Sequence, residues 1–384
     1  MTTSHEKQFD DAVVGAGIIG LAHAYHLAKR GRRVLVVERN PAACGASIRN
    51  FGMVWPIGQP DGPLRTLAER SRDLWLEVLR ESGLWHEPVG SLHLAYHDDE
   101  ASVLAEFIER SRGTGRDVAW LDPSEVIRRS PAVRPAGLKG AMWSEGEVCV
   151  DPRAVIAGLP GWLAERFGVR FEFGRAVTDY DGTFVRAGDS GWKASRLWVC
   201  SGDDLATLYP EELGRSGMVR CKLQMMRSQA YGDQFRLGPM LAAGLTLRHY
   251  KSFEECPSLN AVRARVTREA PWFDEFGIHV LASQHGTGEV TLGDSHEYGD
   301  RIEPFDKAEI DHRILEYLES FLNLPGLKIC SRWHGIYAKH PEKPYVTLKP
   351  AERVLVVTGL GGAGMTLSFG LVEQLVATEL GDPN

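Results

Sequence analysis

The sequence contains no apolar run approaching the ~18 residues that a membrane-spanning helix needs, so no transmembrane segment is expected anywhere in its 384 residues. Cysteine is sparse and scattered. Cys44, Cys149, Cys200, Cys221, Cys256 and Cys330 form no CxxC and no Cys/His cluster at metal-ligand spacing. That usage fits reduced, mostly buried thiols in a cytoplasmic protein and argues against a disulfide framework or a metal site. Basic charge is not in excess either: 44 Lys and Arg stand against 51 Asp and Glu, a formal net charge of −7. A nucleic-acid partner or an anionic membrane surface is therefore not expected, although a local basic pocket remains compatible with that mean. The N-terminus lacks a secretory signal, because acids precede its first apolar run, and no repeat of solenoid period is evident.

Apolar residues make up 43% of the chain, ample for full cores, and the length suggests two domains. The most informative stretch is residues 10–39, DDAVVGAGIIGLAHAYHLAKRGRRVLVVER. A buried strand at 12–14 runs into Gly15, Gly17 and Gly20 at GxGxxG spacing. Gly15 permits the tight turn, Gly17 lets backbone approach a pyrophosphate, and Gly20 lets the next helix pack closely. That helix begins with free N–H groups and a dipole favouring negative charge. With 41 glycines in the chain a lone GxGxxG is weak, but here Gly31 closes the helix, 34–37 forms a second strand, and Glu38 ends it 18 residues after Gly20. A carboxylate there accepts hydrogen bonds from both adenosine ribose hydroxyls and repels a 2′-phosphate, favouring FAD or NAD over NADP.

Residues 39–63 are too rich in Gly, Pro, Ser and Asn for a regular element, and such a loop beside a nucleotide site is usually functional. An apolar stripe predicts a helix over 64–83 with Trp75 in the core. Asp122, Pro123 and Glu125 signal a helix start. Asp151 and Pro152 open another helix, expected to kink at Pro160-Gly161. Strands are expected at 169–173, 176–180, 196–200 and 219–228, and a hairpin pairs 278–284 with 289–293. Asp306 and Glu309 suggest a capping box for a helix to 323, whereas Asp98, Asp99 and Glu100 read as a solvated turn. The chain ends with a strand at 354–357, the glycine turn GLGGAGMT at 359–366 and a helix at 367–380.

The order GAGIIG, Glu38-Arg39, GASIRNFGM, Cys200-Ser201-Gly202 and TGLGGAGMTLSFG resembles the FAD-dependent amine and amino-acid oxidases of the D-amino acid oxidase, glycine oxidase and sarcosine oxidase type. The resemblance covers nearly the whole chain. It implies an α/β fold: a Rossmann-type FAD-binding domain (1–85, 146–215 and 326–384) with an inserted α+β substrate domain (86–145 and 216–325) containing a mostly antiparallel sheet. It also implies cofactor contacts from Gly15, Gly17, Ile18, Ile19, Gly20, Glu38, Arg39, Ser47, Asn50, Gly52, Met53, Val177, Ser201, Gly202, Gly359, Gly361, Gly362, Ala363, Gly364, Met365 and Thr366. Within the family, FGMVWPIGQPDGP and AGLTLRHY look like a subgroup associated with aminophosphonate breakdown. Sarcosine oxidases attach flavin through a cysteine where this chain has Gly335, so the FAD is expected to be noncovalent. They also hold the substrate carboxylate with a lysine where this chain has Thr366.

The expected reaction is oxidative deamination of a small, anionic amine, 2-aminoethylphosphonate or its N-methyl derivative, to phosphonoacetaldehyde, with oxygen or another electron acceptor reoxidising the flavin and hydrogen peroxide as the product of oxygen. The flavin carries the chemistry, and no obligatory catalytic side chain is expected. A phosphonate tail calls for cations, and Arg248, His249, Tyr250, Lys339, Tyr337 and His334 are the candidates, with Ser295, His296, His340 and Trp55 beside them. The competing readings are an oxidase or dehydrogenase of sarcosine or glycine, a noncatalytic flavin-binding redox sensor, and an NAD-linked dehydrogenase.

Overall fold

The computed structural model describes residues 8–381. Its first sheet has six strands in the order Val346–Leu348, Val354–Thr358, Leu197–Val199, Asp11–Val14, Val34–Glu38, Arg170–Phe173. All pairings are parallel except that of the outermost strand Val346–Leu348. The four central strands are buried along their whole length, as apolar parallel strands covered on both faces must be. On one face the helices Ile18–Lys29, Gly364–Leu380 and Pro63–Ser82 pack together. Trp75 is fully buried there and its indole N–H donates to the Met365 carbonyl at 2.8 Å, which fixes where the last helix starts.

The second sheet has nine strands. Its order is Glu297–Gly299, Val219–Ala230, Glu289–Gly293, Leu281–Gln284, Met240–Ala242, Ser91–Ala95, Gly140–Ser144, Val118–Leu121, with Ile329–Lys339 also paired along Val219–Ala230. It is antiparallel apart from the pair Met240–Ala242 and Ser91–Ala95. The sheet thus joins segments on both sides of the first sheet's strand Leu197–Val199. A small sheet of Met53–Val54, Val148–Val150 and His86–Glu87 ties three chain crossings together.

Several expectations need correction. The strand Ile329–Lys339, grouped by sequence with the first sheet, pairs residue for residue with the second. The segment Pro152–Phe167 is a single helix that continues through Pro160. Asp306 does not cap the following helix: Ala308–Phe321 starts after Lys307, whose N–H donates to Gln224 Oε1 at 2.8 Å, while the Asp306 carboxylate pairs with Lys222 and His334. Asp98, Asp99 and Glu100 are the first turn of the helix Asp98–Ser111, and Glu100 is buried, accepting from the Tyr96 N–H at 2.8 Å and pairing with Arg265. Acids in that position complement the helix dipole. The final helix begins at Gly364, three residues earlier than its apolar pattern suggests.

Candidate active site

The glycines of the first turn have the three distinct environments their spacing implies. A Cβ on Gly15, whose φ is +99°, would meet the Cys200 carbonyl at 2.5 Å; one on Gly20 would lie 1.9 Å from the Gly15 carbonyl. Gly20 is therefore a packing residue and lines no cavity. A Cβ on Gly17 would instead meet a side chain, Ser47 Oγ, 3.1 Å away. Ser47 reaches across to the start of the first helix, where its Oγ accepts the Ile18 N–H at 2.9 Å. At the far end, one oxygen of Glu38 accepts from the Ala16 N–H at 3.0 Å and the other from the Asn40 backbone and side-chain amides at 3.0 and 3.1 Å.

These elements enclose a cavity of about 660 Å³. Gly15, Gly17, Ile18, Ile19, Glu38, Arg39, Ser47, Val177, Ser201, Gly202, Gly359, Gly361 and Gly364 all line it. Its lining includes the acid at the strand end, the N-terminus of the helix Ile18–Lys29 and the carboxyl-terminal glycine turn, the donor set that an adenosine, a pyrophosphate and a flavin require. Asn40, Arg49, Arg175 and Asp203 also line it and were not anticipated. Burial raises the Asp203 carboxyl above its ordinary range.

A second cavity of about 410 Å³ opens from the first, sharing Ile18, Ser47, Arg49, Tyr337, Gly359 and Gly361 with it. Asn50, Met53, Gly362, Ala363, Met365 and Thr366 belong to this one. Asn50 shapes the loop, donating to the Ala46 and Ser47 carbonyls at 3.0 and 2.9 Å. Thr366 Oγ1 accepts the Trp55 N–H at 2.9 Å, so this threonine fastens the wall that Trp55 forms. Gly52 lines neither cavity; it has φ of +72° and its Cβ would strike the Val150 carbonyl, which makes it the turn into the small sheet.

Of the substrate candidates, His249, Tyr250, Tyr337, Lys339, His296 and His340 line the second cavity. Arg248 and His334 do not. The Arg248 guanidinium is paired with Asp274, and His334 faces Asp306 at 2.9 Å, on the side of its strand away from Gly335, Tyr337 and Lys339. Ser295 is buried and its Oγ accepts the Gln224 N–H at 3.1 Å. Gly335 faces the cavity and no cysteine lines it among the described residues.

Two of the sequence candidates, His249 and His296, meet a third histidine, His279, at the wall of this cavity. His249, His279 and His296 converge so that one ring nitrogen from each lies within 4.8 Å of the other two. His279 stacks on His249 with centroids 3.7 Å apart, and His296 sits 4.6 and 4.9 Å from the two. Behind them Asp294 approaches His279 Nε2 at 3.3 Å and His296 Nε2 at 3.9 Å. The hairpin that pairs Leu281 with Gly293 creates this arrangement, because beyond its open end the backbones of His279 and Asp294 exchange hydrogen bonds at 3.3 and 2.9 Å. His249 is open toward the cavity but crowded by protein on its other sides. Burial holds His296 at about 4, pushes His249 and His279 well below the usual imidazole range, and pushes Asp294 well above the carboxylate range. Burial also lowers the Lys339 ammonium. Burial therefore disfavours the charged form of each member of the cluster.

A family described as FAD dependent oxidoreductase matches residues 10–378. The glycine oxidase of Geobacillus kaustophilus is 30% identical over 248 residues, 58% of this chain and 65% of that oxidase, so the match spans just under two thirds of its length. The glycine oxidase of Bacillus licheniformis is 25% identical over 386 residues, 98% of this chain and 94% of that protein. Among solved structures, L-proline dehydrogenase from P. horikoshii is similar in fold, with a TM-score of 0.78 and 20% identity, over 97% of this chain and 94% of that one.

Proposed function

Because this chain belongs to the DAO family of FAD-dependent oxidoreductases, we propose that it oxidises a small amine with a compact anionic tail, 2-aminoethylphosphonate or its N-methyl derivative, giving phosphonoacetaldehyde and the released amine. The observation that carries this reading is the charge of the second cavity. Arg49, Lys251, Lys339 and Lys343 line it with four histidines, against only Asp294 and Glu342, and burial raises the Asp294 carboxyl well above its ordinary range. A phosphonate dianion leaves water only for such a set of donors.

FAD, when bound, supplies the acceptor for the hydride leaving the carbon next to the amine nitrogen. The residues lining the first cavity would hold it, and with Gly335 in place of a cysteine its attachment is noncovalent. The N-terminus of the helix Gly364–Leu380 faces the second cavity, where its free N–H groups stabilise negative charge. Trp55 and Tyr250 form an aromatic wall, rings 6.2 Å apart, that limits water around the amine. Reoxidation by oxygen would release hydrogen peroxide, and the six free thiols fit a cytoplasmic setting.

The glycine oxidases similar to this chain favour a second reading, glycine or sarcosine as substrate. Peroxide release measured side by side on 2-aminoethylphosphonate, its N-methyl derivative, glycine and sarcosine decides. The expected result is a kcat/KM at least about 100-fold higher for an aminophosphonate, roughly 2.7 kcal/mol of transition-state binding. Equal or better turnover of glycine or sarcosine overturns the proposal.

A further inference from the structure

The geometry points to a proton-coupled anion site: His249, His279 and His296, backed by Asp294, receive the anionic tail of the substrate and take up a proton from solvent as it binds. The inference rests on the anionic-tail reading above and deepens it, by naming the groups that carry the charge.

Three imidazoles around a carboxyl group first suggest a metal centre, and the distances argue against one. Nitrogens bound at about 2.05 Å around a tetrahedral ion are about 3.3 Å apart, closer than the 4.8 Å within which one nitrogen from each ring lies here. His249 and His279 are stacked, with ring planes 28° apart, so that their in-plane lone pairs run alongside each other and do not converge. The surrounding field is positive as well. Lys339 from the strand Ile329–Lys339 and Arg248 from the preceding loop both act on the cluster, and Lys251 lines the same cavity. A dication would be repelled from this place, and an anion is drawn to it.

The other groups facing the cluster do not compensate. Tyr250, Tyr298 and Tyr337 are phenols that burial keeps protonated, and the charge of Arg248 is matched by Asp274 outside the cavity. Asp294 is the one carboxyl in contact with the histidines, and two of its neighbours are imidazoles able to share its proton. His296 is fixed in orientation, its Nδ1 lying 3.0 Å from the Gly277 carbonyl, so Nδ1–H donates there and Nε2 is left as an acceptor. His279 Nδ1 has no partner at all. An acceptor facing an anion is repulsive; one proton added to either ring turns it into a charge-assisted donor. Burial among these rings disfavours a charged imidazole, and an anion placed against them offsets that cost for one added proton.

The test uses the FAD-loaded protein and sulfate, a non-oxidisable dianion whose own charge does not change around neutrality, so that any proton bound is bound by the protein. Calorimetric titration in two buffers of different ionisation enthalpy counts protons directly. We expect close to one proton taken up per sulfate, a Kd that weakens about tenfold per pH unit above neutrality, and displacement of sulfate by 2-aminoethylphosphonate. His279→Gln and His296→Gln should flatten the pH slope while leaving the flavin spectrum intact. Sulfate that binds without proton uptake, that does not bind, or that binds with the same slope in both variants overturns the inference; so does tight, chelator-sensitive Zn²⁺ binding by the same histidines. The peroxide assay is independent: aminophosphonate oxidation with a pH-independent sulfate site sinks the proton coupling alone, and glycine preference sinks the anionic-tail reading.

Discussion

The two cavities of this protein share a wall but are built by opposite means. The first is made of backbone. Glycine turns, a helix N-terminus and one acid make up its frame, each written as a local pattern, with a large share of the lining from residues 10–50 and most of the rest from the 175–220 segment and the carboxyl-terminal turn. The second is made of side chains from five separated places, Trp55, His249, His279, the 294–296 segment and Tyr337 with Lys339, which meet only because the nine-stranded sheet folds them together. A cofactor site of the first kind tolerates almost no added atoms and little change of backbone. A substrate site of the second kind can change its chemistry one side chain at a time while the fold persists.

The sharpest way to break that comparison is Gly20→Ala. Its Cβ would sit 1.9 Å from a backbone carbonyl that cannot move without displacing the first strand, so overpacking of several kcal/mol is expected. Thermal unfolding and the flavin absorbance of the purified protein should both collapse. A stable yellow variant would show that the first cavity is less rigid than its contacts imply. The matching experiment on the second cavity is Lys339→Ala, for which KM for the aminophosphonate should rise about 10–100-fold, roughly 1.4–2.7 kcal/mol, with flavin content unchanged. Loss of flavin in that variant would mean the two cavities are not separable.

Acid should reveal the same contrast more gently. Burial holds His26 at about 3 and His23 at about 4 beneath the first sheet, and His296 at about 4 in the second cavity. Each is depressed from an unfolded value near 6.5, so the unfolded chain binds protons that the folded chain refuses. Stability is then fully present above that value and is lost progressively as pH falls from about 6.5 toward 4. Denaturant unfolding across this window should show the fall, and sulfate should remove the part contributed by the cavity cluster alone. A flat profile would mean that the burial is relieved by water.

The contrast also explains what could be read from the chain. The glycine turns, Glu38 and the covering helices were legible because each is a local pattern with its own physical signature. Arg248 was misplaced because its partner, Asp274, lies on another helix and nothing nearby in sequence signals that pairing. His334 was recoverable: alternation along Ile329–Lys339 sends Gly335, Tyr337 and Lys339 to the second cavity and therefore His334 elsewhere. His249 and His296 stood out singly, but their convergence with His279 needed the register of the hairpin beyond its open end as well as the loop carrying His249, a long-range coincidence.

The smallest expected effect lies in the wall of the second cavity, at Thr366. The resemblance counts Thr366 among the cofactor contacts. The structure instead commits the hydroxyl to the buried Trp55 N–H at 2.9 Å. Thr366→Val keeps the volume and removes that acceptor, leaving a buried donor unpaired at a cost of about 1–3 kcal/mol. If the threonine is wall, the variant should unfold a few degrees earlier while KM for the aminophosphonate and the flavin spectrum stay within about twofold of the parent. If it is ligand, KM should move and stability should not. The two outcomes cannot be confused, because a hydroxyl already accepting a backbone proton inside the protein has its stabilising partner in the fold, whereas a hydroxyl serving the substrate has it only when substrate is bound.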